Sequence, residues 1–347
     1  MNFSWDNYEG YIERIVENEN VSLPYAVKIN SQGQNIGFKY NRKSKCIICS
    51  DACITNVLLC ASYRVSNKAI GKLLFLYYLA HHNLTNRRLN SSMYLFHKIC
   101  KTLDRKWKKI FGIAKNVYLN EITAFLIGHE TAHACFKADA QYKDSITKII
   151  TENLFNLGTL KTLRERYLSN QISESITDKE IEEFACDYIG LKHLFKHYIS
   201  LHNYTKEQIE ELISQLLCIV MMQMYPSNMD TLQKFELFKE GTSLHVHKHI
   251  AAVYRLGLVT FFIQDILISE YDFNYSNFFN EQMKLSRTLL DGIWTINLSK
   301  LLTISNMVRL NEPPELEDTN RIYEHFQIFS DISEAIKRTL LGEKDQL

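Results

Sequence analysis

The spacing of apolar and polar residues predicts a mainly helical protein with a few short strands near its amino terminus. Residues 6–18 have a helical pattern. Residues 25–30 and 36–41 instead alternate apolar and polar side chains, at the period of a strand. The Gly-containing segment 31–35 separates these two strands, and it predicts a hairpin turn between them.

Helical periodicity continues through most of the remaining chain. A third strand at residues 46–50 is expected to complete a small antiparallel N-terminal sheet, and Asp51 is the expected cap of the helix that follows. Thr177–Glu180 and Thr205–Gln208 both match the capping box, in which two side chains satisfy amides at a helix start. A last helix is expected near residues 331–341. The pattern therefore indicates an α+β fold that is mainly α.

Composition supports a globular protein and excludes several other classes. Of 347 residues, 46% are hydrophobic and 23% are charged, which excludes a disordered, collagen-like or coiled-coil chain. The chain has only 12 Gly and 4 Pro, which agrees with a helical fold because these residues interrupt helices. The net charge of +1 shows no basic excess, so we expect no nucleic-acid partner.

Neither an export signal nor a membrane span is expected. The amino-terminal segment is acidic and has no apolar core. The most apolar stretch, residues 251–269, includes Arg255 and Asp265, which are costly in a bilayer. We therefore expect a cytoplasmic protein without a membrane partner. Its eight cysteines are then free thiols or ligands, since disulfides are rare in that compartment.

Residues 129–133, with the sequence His-Glu-Thr-Ala-His, form an HExxH motif. On a helix, residues four apart share a face, so His129 and His133 can bind the same zinc ion. Glu130 lies one position further round and is the candidate base that takes a proton from water. Asn120 is the expected cap of this helix. The alternative is a helix with two incidental histidines.

Zinc requires a third protein ligand if the fourth position is to hold water. Glu183 and Asp187 lie four residues apart on a predicted helix and therefore share a face. This spacing suits Glu183 as the ligand and Asp187 as the acceptor of the free ring N–H of a ligating histidine. A solvated acidic helix face is the alternative, and Asp139 is a minor candidate for the ligand.

His249 and Arg255 form a third candidate element, because six residues on a helix span less than two turns. Either side chain can stabilise the oxyanion of a tetrahedral intermediate or hold an active-site carboxylate. The alternative is a surface histidine cluster. His245 and His247 are expected to lie in an exposed loop.

Four cysteines near the amino terminus suggest a metal cluster by their number, but their spacing argues against one. Cys46 and Cys49 point to opposite faces of a strand, while Cys53 and Cys60 fall seven residues apart on a helix. Cysteine is among the most buried residue types, so we expect packed thiols at these positions.

The three motifs together resemble those of the gluzincin metallopeptidases. They occur in the chain order of those families: His129-Glu-x-x-His133, Glu183-x-x-x-Asp187 and His249-x5-Arg255. Among these families the chain looks most like the Lit-type phage-exclusion peptidases. The resemblance covers roughly residues 25–260, and its specific matches are the three motifs. The chain departs from the family pattern at Cys186 and Ile250.

The resemblance implies a zinc-dependent endopeptidase with a zincin-like helical core and a protein substrate. In this assignment His129, His133 and Glu183 bind Zn²⁺ and Glu130 is the base. A role in phage defence or abortive infection follows from the resemblance alone. The alternative function is a non-catalytic binding or regulatory module with a zinc-stabilised zincin-like fold. Glu130 favours the peptidase, because a structural zinc site has no need of a base.

We expect one compact unit with three parts: a packing region at 1–110, the catalytic core at 111–270 and a helical extension at 271–347. Within the core, residues 137–180 are polar and weakly periodic, which indicates an insertion or a lid. A cytoplasmic peptidase has to be restrained, so an activating or inhibiting protein or peptide is a candidate partner.

Overall fold

A computed structural model describes most of the chain and is mainly helical. The described ranges are 5–32, 35–63, 67–156, 177–200, 203–223, 255–267 and 318–343. Within them lie the helices and one small sheet of three strands. The predicted α+β class, mainly α, is therefore confirmed.

The elements follow one another in a simple order. A short 3-10 helix, Trp5–Tyr8, comes first. The strands are β1 (Lys28–Asn30), β2 (Lys39–Asn41) and β3 (Cys46–Ile48). The helices are α1 (Glu9–Asn18), α2 (Asp51–Tyr63), α3 (Asn67–Thr85), α4 (Leu89–Ile110), α5 (Leu119–Ala138), α6 (Ala140–Asn156), α7 (Asp178–Leu194), α8 (Lys206–Gln223), α9 (255–267) and α10 (Thr319–Leu341). A π-helix, Phe195–Ile199, continues α7.

Both predicted capping boxes are confirmed. At the start of α7 the Thr177 hydroxyl accepts the Glu180 amide, and the Glu180 carboxylate accepts the Thr177 amide. Thr205 and Gln208 exchange the same pair of hydrogen bonds at the start of α8. These bonds satisfy amides that a helix start leaves without a partner.

Two other predicted caps are wrong. Asp51 is the first residue of α2, and the side chain that caps this helix is Ser50, whose Oγ accepts the Cys53 amide at 3.4 Å. The central helix α5 begins directly after Tyr118 without a side-chain cap, so Asn120 lies inside its first turn. In both cases the helix begins at or before the polar residue that is predicted as its cap.

The sheet is mixed, and the predicted antiparallel sheet is wrong. Its central strand is β3, which pairs in parallel with β1 and antiparallel with β2, so the hairpin predicted between β1 and β2 does not form. The hairpin joins β2 to β3 instead. Asn41 starts its turn, because its side-chain oxygen accepts the amides of Lys43 and Ser44 at 2.9 and 3.3 Å. Lys45 closes the turn with a left-handed φ of 54°.

Helix α5 lies at the centre of the fold. Among the described elements it contacts helices α1, α2, α6, α7 and α8, the π-helix, and strands β2 and β3. Every residue in the range 122–136 is buried except His133, which is half-buried. A helix that is buried on all sides has to be apolar almost everywhere, so its few polar residues are conspicuous. They include the predicted motif.

Two glycines allow α7 to lie directly against α5. A Cβ atom on Gly128 would lie 3.1 Å from the Cα atom of Gly190. A Cβ atom on Gly190 would lie 2.8 Å from the Phe125 carbonyl oxygen and 3.0 Å from the His129 amide nitrogen. There is no space for a side chain between the two backbones. This close approach brings the acidic residues of α7 next to the histidines of α5.

The described residues also bear on three further predictions. No helix among them is both long and apolar enough to cross a bilayer. All eight cysteines are free, and the four N-terminal cysteines, Cys46, Cys49, Cys53 and Cys60, are buried as predicted. Of the predicted lid, α6 and the first residues of α7 are described, while residues 157–176 lie outside the described ranges.

Candidate metal centre

The two histidines of the HExxH motif lie one turn apart on α5 and face α7. Their ring centroids are 5.1 Å apart. The Glu183 carboxylate of α7 lies beside both rings, with one oxygen 3.3 Å from His129 Nε2 and the other 3.6 Å from His133 Nε2. The three side chains predicted as ligands are therefore together, with the Nε2 atoms of both imidazoles directed at one carboxylate.

The other ring nitrogen of His129 is held by Asp187. His129 Nδ1 lies 2.9 Å from Asp187 Oδ1, and Arg255 donates two hydrogen bonds to the same carboxylate, at 2.6 and 2.8 Å. With Nδ1–H donated to Asp187, the Nε2 atom of His129 keeps its lone pair for a ligand. Arg255 is predicted either to stabilise an oxyanion or to hold an active-site carboxylate, and these contacts favour the second role.

Glu130 is also held by a specific contact. Its side chain is buried, and its Oε2 atom accepts the backbone N–H of Tyr40 at 2.6 Å. Tyr40 is the middle residue of β2, so the small sheet contributes directly to the site. The sequence does not reveal this partner, because a residue of almost any type can supply a backbone amide.

Glu182 forms a second contact with the motif that the sequence did not predict. Its Oε1 atom lies 3.2 Å from His133 Nδ1, and its Oε2 atom accepts a hydrogen bond from Lys143 of α6. The signal was present in the spacing. Glu182 and Cys186 are four residues apart and both approach His133, just as Glu183 and Asp187 are four apart and both approach His129.

The electrostatics of the site favour a cation. Burial lowers the pKa of His129, but hydrogen bonds to Asp187 and Glu183 outweigh burial and raise that pKa to about 10. Burial raises the pKa values of the Glu183 and Asp187 carboxyls, yet the histidine and Arg255 hold both below their usual range. The carboxylates are therefore ionised and attract either a proton or a metal ion to the imidazoles.

Cys186 is the alternative third donor, because the ligand atoms of His129, His133 and Cys186 lie within 4.8 Å of one another. Its sulfur lies 3.4 Å from His133 Nδ1, the nitrogen that faces away from Glu183. Burial raises the pKa of its thiol well above the usual value, so without a metal this sulfur is held as the thiol. Glu183 instead approaches the Nε2 atoms of both rings and is one-third exposed (33%), so the two donors belong to different positions of an ion.

The remaining candidates do not add ligands within the described residues. Asp139 follows α5, and its carboxylate accepts the Tyr142 amide at 2.9 Å, so it caps the start of α6. His249, as well as His245 and His247, lies outside the described ranges, and their predicted positions stay predictions.

Comparison of the chain with models of protein families, with curated proteins and with solved structures found no match. The resemblance to gluzincin peptidases therefore stays a prediction from the three motifs.

Proposed function

We propose that the protein is a zinc-dependent endopeptidase of the gluzincin type, with His129, His133 and Glu183 as the zinc ligands. The observation that carries the proposal is the position of the Glu183 carboxylate, with one oxygen 3.3 Å from His129 Nε2 and the other oxygen 3.6 Å from His133 Nε2. Donor atoms about 2.0–2.2 Å from a tetrahedral zinc ion lie about 3.3–3.6 Å from one another. Two imidazoles and a carboxylate are also a donor set of zinc peptidases.

The side chains around these ligands have separate roles in the proposed peptide hydrolysis. A bound zinc ion supplies a Lewis acid and lowers the pKa of water. Glu130 is placed by the Tyr40 amide at one carboxylate oxygen, which leaves the other oxygen to accept a proton from water and pass it to the leaving amine. Asp187 and Arg255 hold His129 in the tautomer that presents Nε2.

A comparison of the wild-type protein with Glu130→Gln tests the activity. We expect both proteins to bind one zinc ion per chain, measured by elemental analysis, and only the wild type to cleave itself or proteins of a cell extract. The glutamine keeps the shape and the contact with Tyr40 but cannot act as a base. Equal zinc content with cleavage unchanged, or absent in both, contradicts the peptidase assignment.

The third ligand is tested by Glu183→Ala beside Cys186→Ala. If Glu183 is the ligand, its substitution removes stoichiometric zinc, whereas Cys186→Ala retains it. The opposite result assigns the metal to the thiol. Far-UV circular dichroism of both variants checks that the helices are intact.

One observation favours the alternative function, a non-catalytic zincin-like binding or regulatory module. The Tyr40 amide already occupies one oxygen of Glu130 at 2.6 Å, so this carboxylate has a structural partner as well as a candidate catalytic one. For such a module, Glu130→Ala, which removes the contact with Tyr40, lowers the free energy of unfolding, but no variant of the site changes cleavage.

We also propose that the peptidase acts on a protein substrate in the cytoplasm. Eight free cysteines support this location, because thiols persist where disulfides are reduced. A role in phage defence is proposed from the resemblance to Lit-type peptidases. Cleavage of a host protein only in phage-infected cells, detected by comparing their proteomes with those of uninfected cells, tests it.

A further inference from the structure

The second histidine of the motif has its own carboxylate partner, and that partner is bound by a lysine of another helix. Glu182 Oε1 lies 3.2 Å from His133 Nδ1, and Lys143 Nζ lies 2.5 Å from Glu182 Oε2. We infer that Glu182 is a positioning residue of the metal site, and that Lys143 holds it against His133. This inference rests on the proposed function, because it assumes that His133 Nε2 binds the metal.

The arrangement repeats the one around the first histidine. Asp187 accepts from His129 Nδ1 and is bound by Arg255; Glu182 accepts from His133 Nδ1 and is bound by Lys143. In each case a carboxylate fixes the ring, and a cation fixes the carboxylate. A histidine whose Nδ1–H is donated in this way presents Nε2 in one orientation and binds metal more tightly.

The adjacent positions of Glu182 and Glu183 on α7 explain how both carboxylates reach the imidazole ring of His133. Successive residues of an α-helix point in directions about 100° apart. Glu183 therefore reaches the Nε2 side of His133 while Glu182 reaches the Nδ1 side, at 3.6 and 3.2 Å respectively. Glu182 is itself largely buried, with 16% of its side chain exposed, so its carboxylate has few competing water contacts.

The Cys186 thiol also approaches His133 Nδ1, at 3.4 Å. A thiol is a weak acceptor, whereas an ionised carboxylate forms a charge-assisted hydrogen bond. Glu182 also has a cation within hydrogen-bond distance. Glu182 is therefore the main partner of the His133 N–H.

Lys143 connects the metal site to helix α6. It lies in the first turn of that helix, and its neighbour Tyr142 donates a hydrogen bond to Glu19 of the α1 end at 2.9 Å. The start of α6 is thus held between two carboxylates. If Lys143 orients Glu182, then zinc affinity depends on the position of α6, and zinc in turn stabilises that position.

Glu182→Gln in the full-length protein tests the positioning role. We expect the dissociation constant of Zn²⁺, measured by competition with a chromogenic chelator, to rise about 10- to 100-fold. The visible spectrum of the Co²⁺-substituted protein is expected to shift as well, because the ligand field follows the orientation of His133. Asp178→Asn is the matched control: it removes one charge from the exposed start of α7 and should change affinity less than about twofold.

Lys143→Met tests the second half of the inference. In the wild-type background it should weaken Zn²⁺ binding, because Glu182 loses its hydrogen bond from Lys143, and the other cation near it, the exposed Arg42, lies 4.0 Å away. In the Glu182→Gln background it should have no further effect, since the two residues act as a unit. Lys148→Met, on the same helix, removes a lysine whose partner is the exposed Glu152, and it is expected to leave affinity unchanged.

The outcomes separate this inference from the proposed function. Stoichiometric Zn²⁺ binding that His133→Ala abolishes and Glu182→Gln leaves unchanged overturns the inference alone. Additive effects of Lys143→Met and Glu182→Gln overturn the role of Lys143. A wild-type protein that binds no Zn²⁺ overturns the proposed function and the inference together.

Discussion

Asp187 is a charged side chain with almost no solvent-exposed surface, and its hydrogen bonds explain why it is tolerated. Arg255 donates two of them and His129 donates a third. A buried ion pair adds little net stability, because desolvation offsets the attraction between its charges. Removing one partner is costly nevertheless, since the other charge then stays buried alone.

Arg255→Met is therefore expected to lower the free energy of unfolding by about 3–5 kcal/mol. Urea denaturation of the metal-free protein measures the change without any contribution from a bound ion. Lys148→Met removes an exposed ion pair with Glu152 and should change stability by less than about 1 kcal/mol. Equal effects of the two substitutions would contradict the importance of the buried pair.

Glu19, away from the candidate site, is a second buried carboxylate with several donors. Lys192 and Tyr142 donate to it at 2.8 and 2.9 Å, and its Oε1 lies 2.5 Å from His193 Nε2. Burial raises the pKa of Glu19, but the hydrogen bonds from His193 and Lys192 outweigh burial and lower it from 4.5 to about 2. Ionised Glu19 therefore joins the end of α1 to α6 and α7.

Because the folded pKa of Glu19 lies below the unfolded value, its contribution is fully present above pH 4.5 and is lost as the pH falls towards 2. Glu19→Gln is expected to lower the free energy of unfolding by about 2 kcal/mol at neutral pH. The difference from the wild type should shrink at pH 3. Denaturation at a series of pH values measures it, and a difference that does not depend on pH in this window would refute the ionised state of Glu19.

At the scale of elements, the site depends on the close contact between α5 and α7. All three proposed ligands are on these two helices, and their distances follow from the backbone separation that Gly128 and Gly190 permit. A larger residue at either position would move α7 outward. The ligands would then move apart, although none of them had been changed.

Gly190→Ala tests this dependence. The new Cβ atom would lie 2.8 Å from the Phe125 carbonyl oxygen, so α7 has to shift, at a cost of about 1–3 kcal/mol. We expect lower stability and weaker Zn²⁺ binding in the same variant. Gly10→Ala is the control: this helical glycine has nothing within 4 Å of its Cβ position, and alanine there should stabilise α1 by about 0.4–1 kcal/mol.

At the scale of the whole molecule, the last described helix packs against the amino-terminal half of the chain. Helix α10 contacts α2, α3 and α4. Phe329 stacks on Tyr77 with ring centroids 4.9 Å apart, and the Ser333 carbonyl accepts the Thr55 hydroxyl at 2.9 Å. Helix α10 begins at Thr319, well before the expected residue 331.

Phe329→Ala is expected to lower the free energy of unfolding by about 3–5 kcal/mol, because Phe329 is a fully buried aromatic side chain (2% exposed). Hydrogen exchange should show that protection is lost together in α2, α3 and α10. Loss of protection in α10 alone would show that the carboxyl-terminal helix is a separate unit. Tyr323→Ala, an exposed position on the same helix, is the matched control.

The sequence by itself was enough for features that depend on neighbours along the chain. The capping boxes at Thr177 and Thr205 need only residues three positions apart. The helical character of the HExxH segment follows from spacing alone, as does the common face of Glu183 and Asp187. The burial of the N-terminal cysteines needed only their residue type, because cysteine is among the residues that are most often buried.

Only the tertiary structure decided which faces meet. The order β1-β3-β2, the Tyr40 amide on Glu130 and the Lys143 side chain on Glu182 each join residues that are distant in sequence. A local pattern predicts which side of a helix is polar, but the packing of the whole chain decides which element lies against that side. A residue of almost any type can donate its backbone amide, so the sequence does not indicate which residue does so. The candidate ligands were therefore predictable from spacing, whereas the groups that hold them in place were set by how α5, α6, α7 and β2 pack.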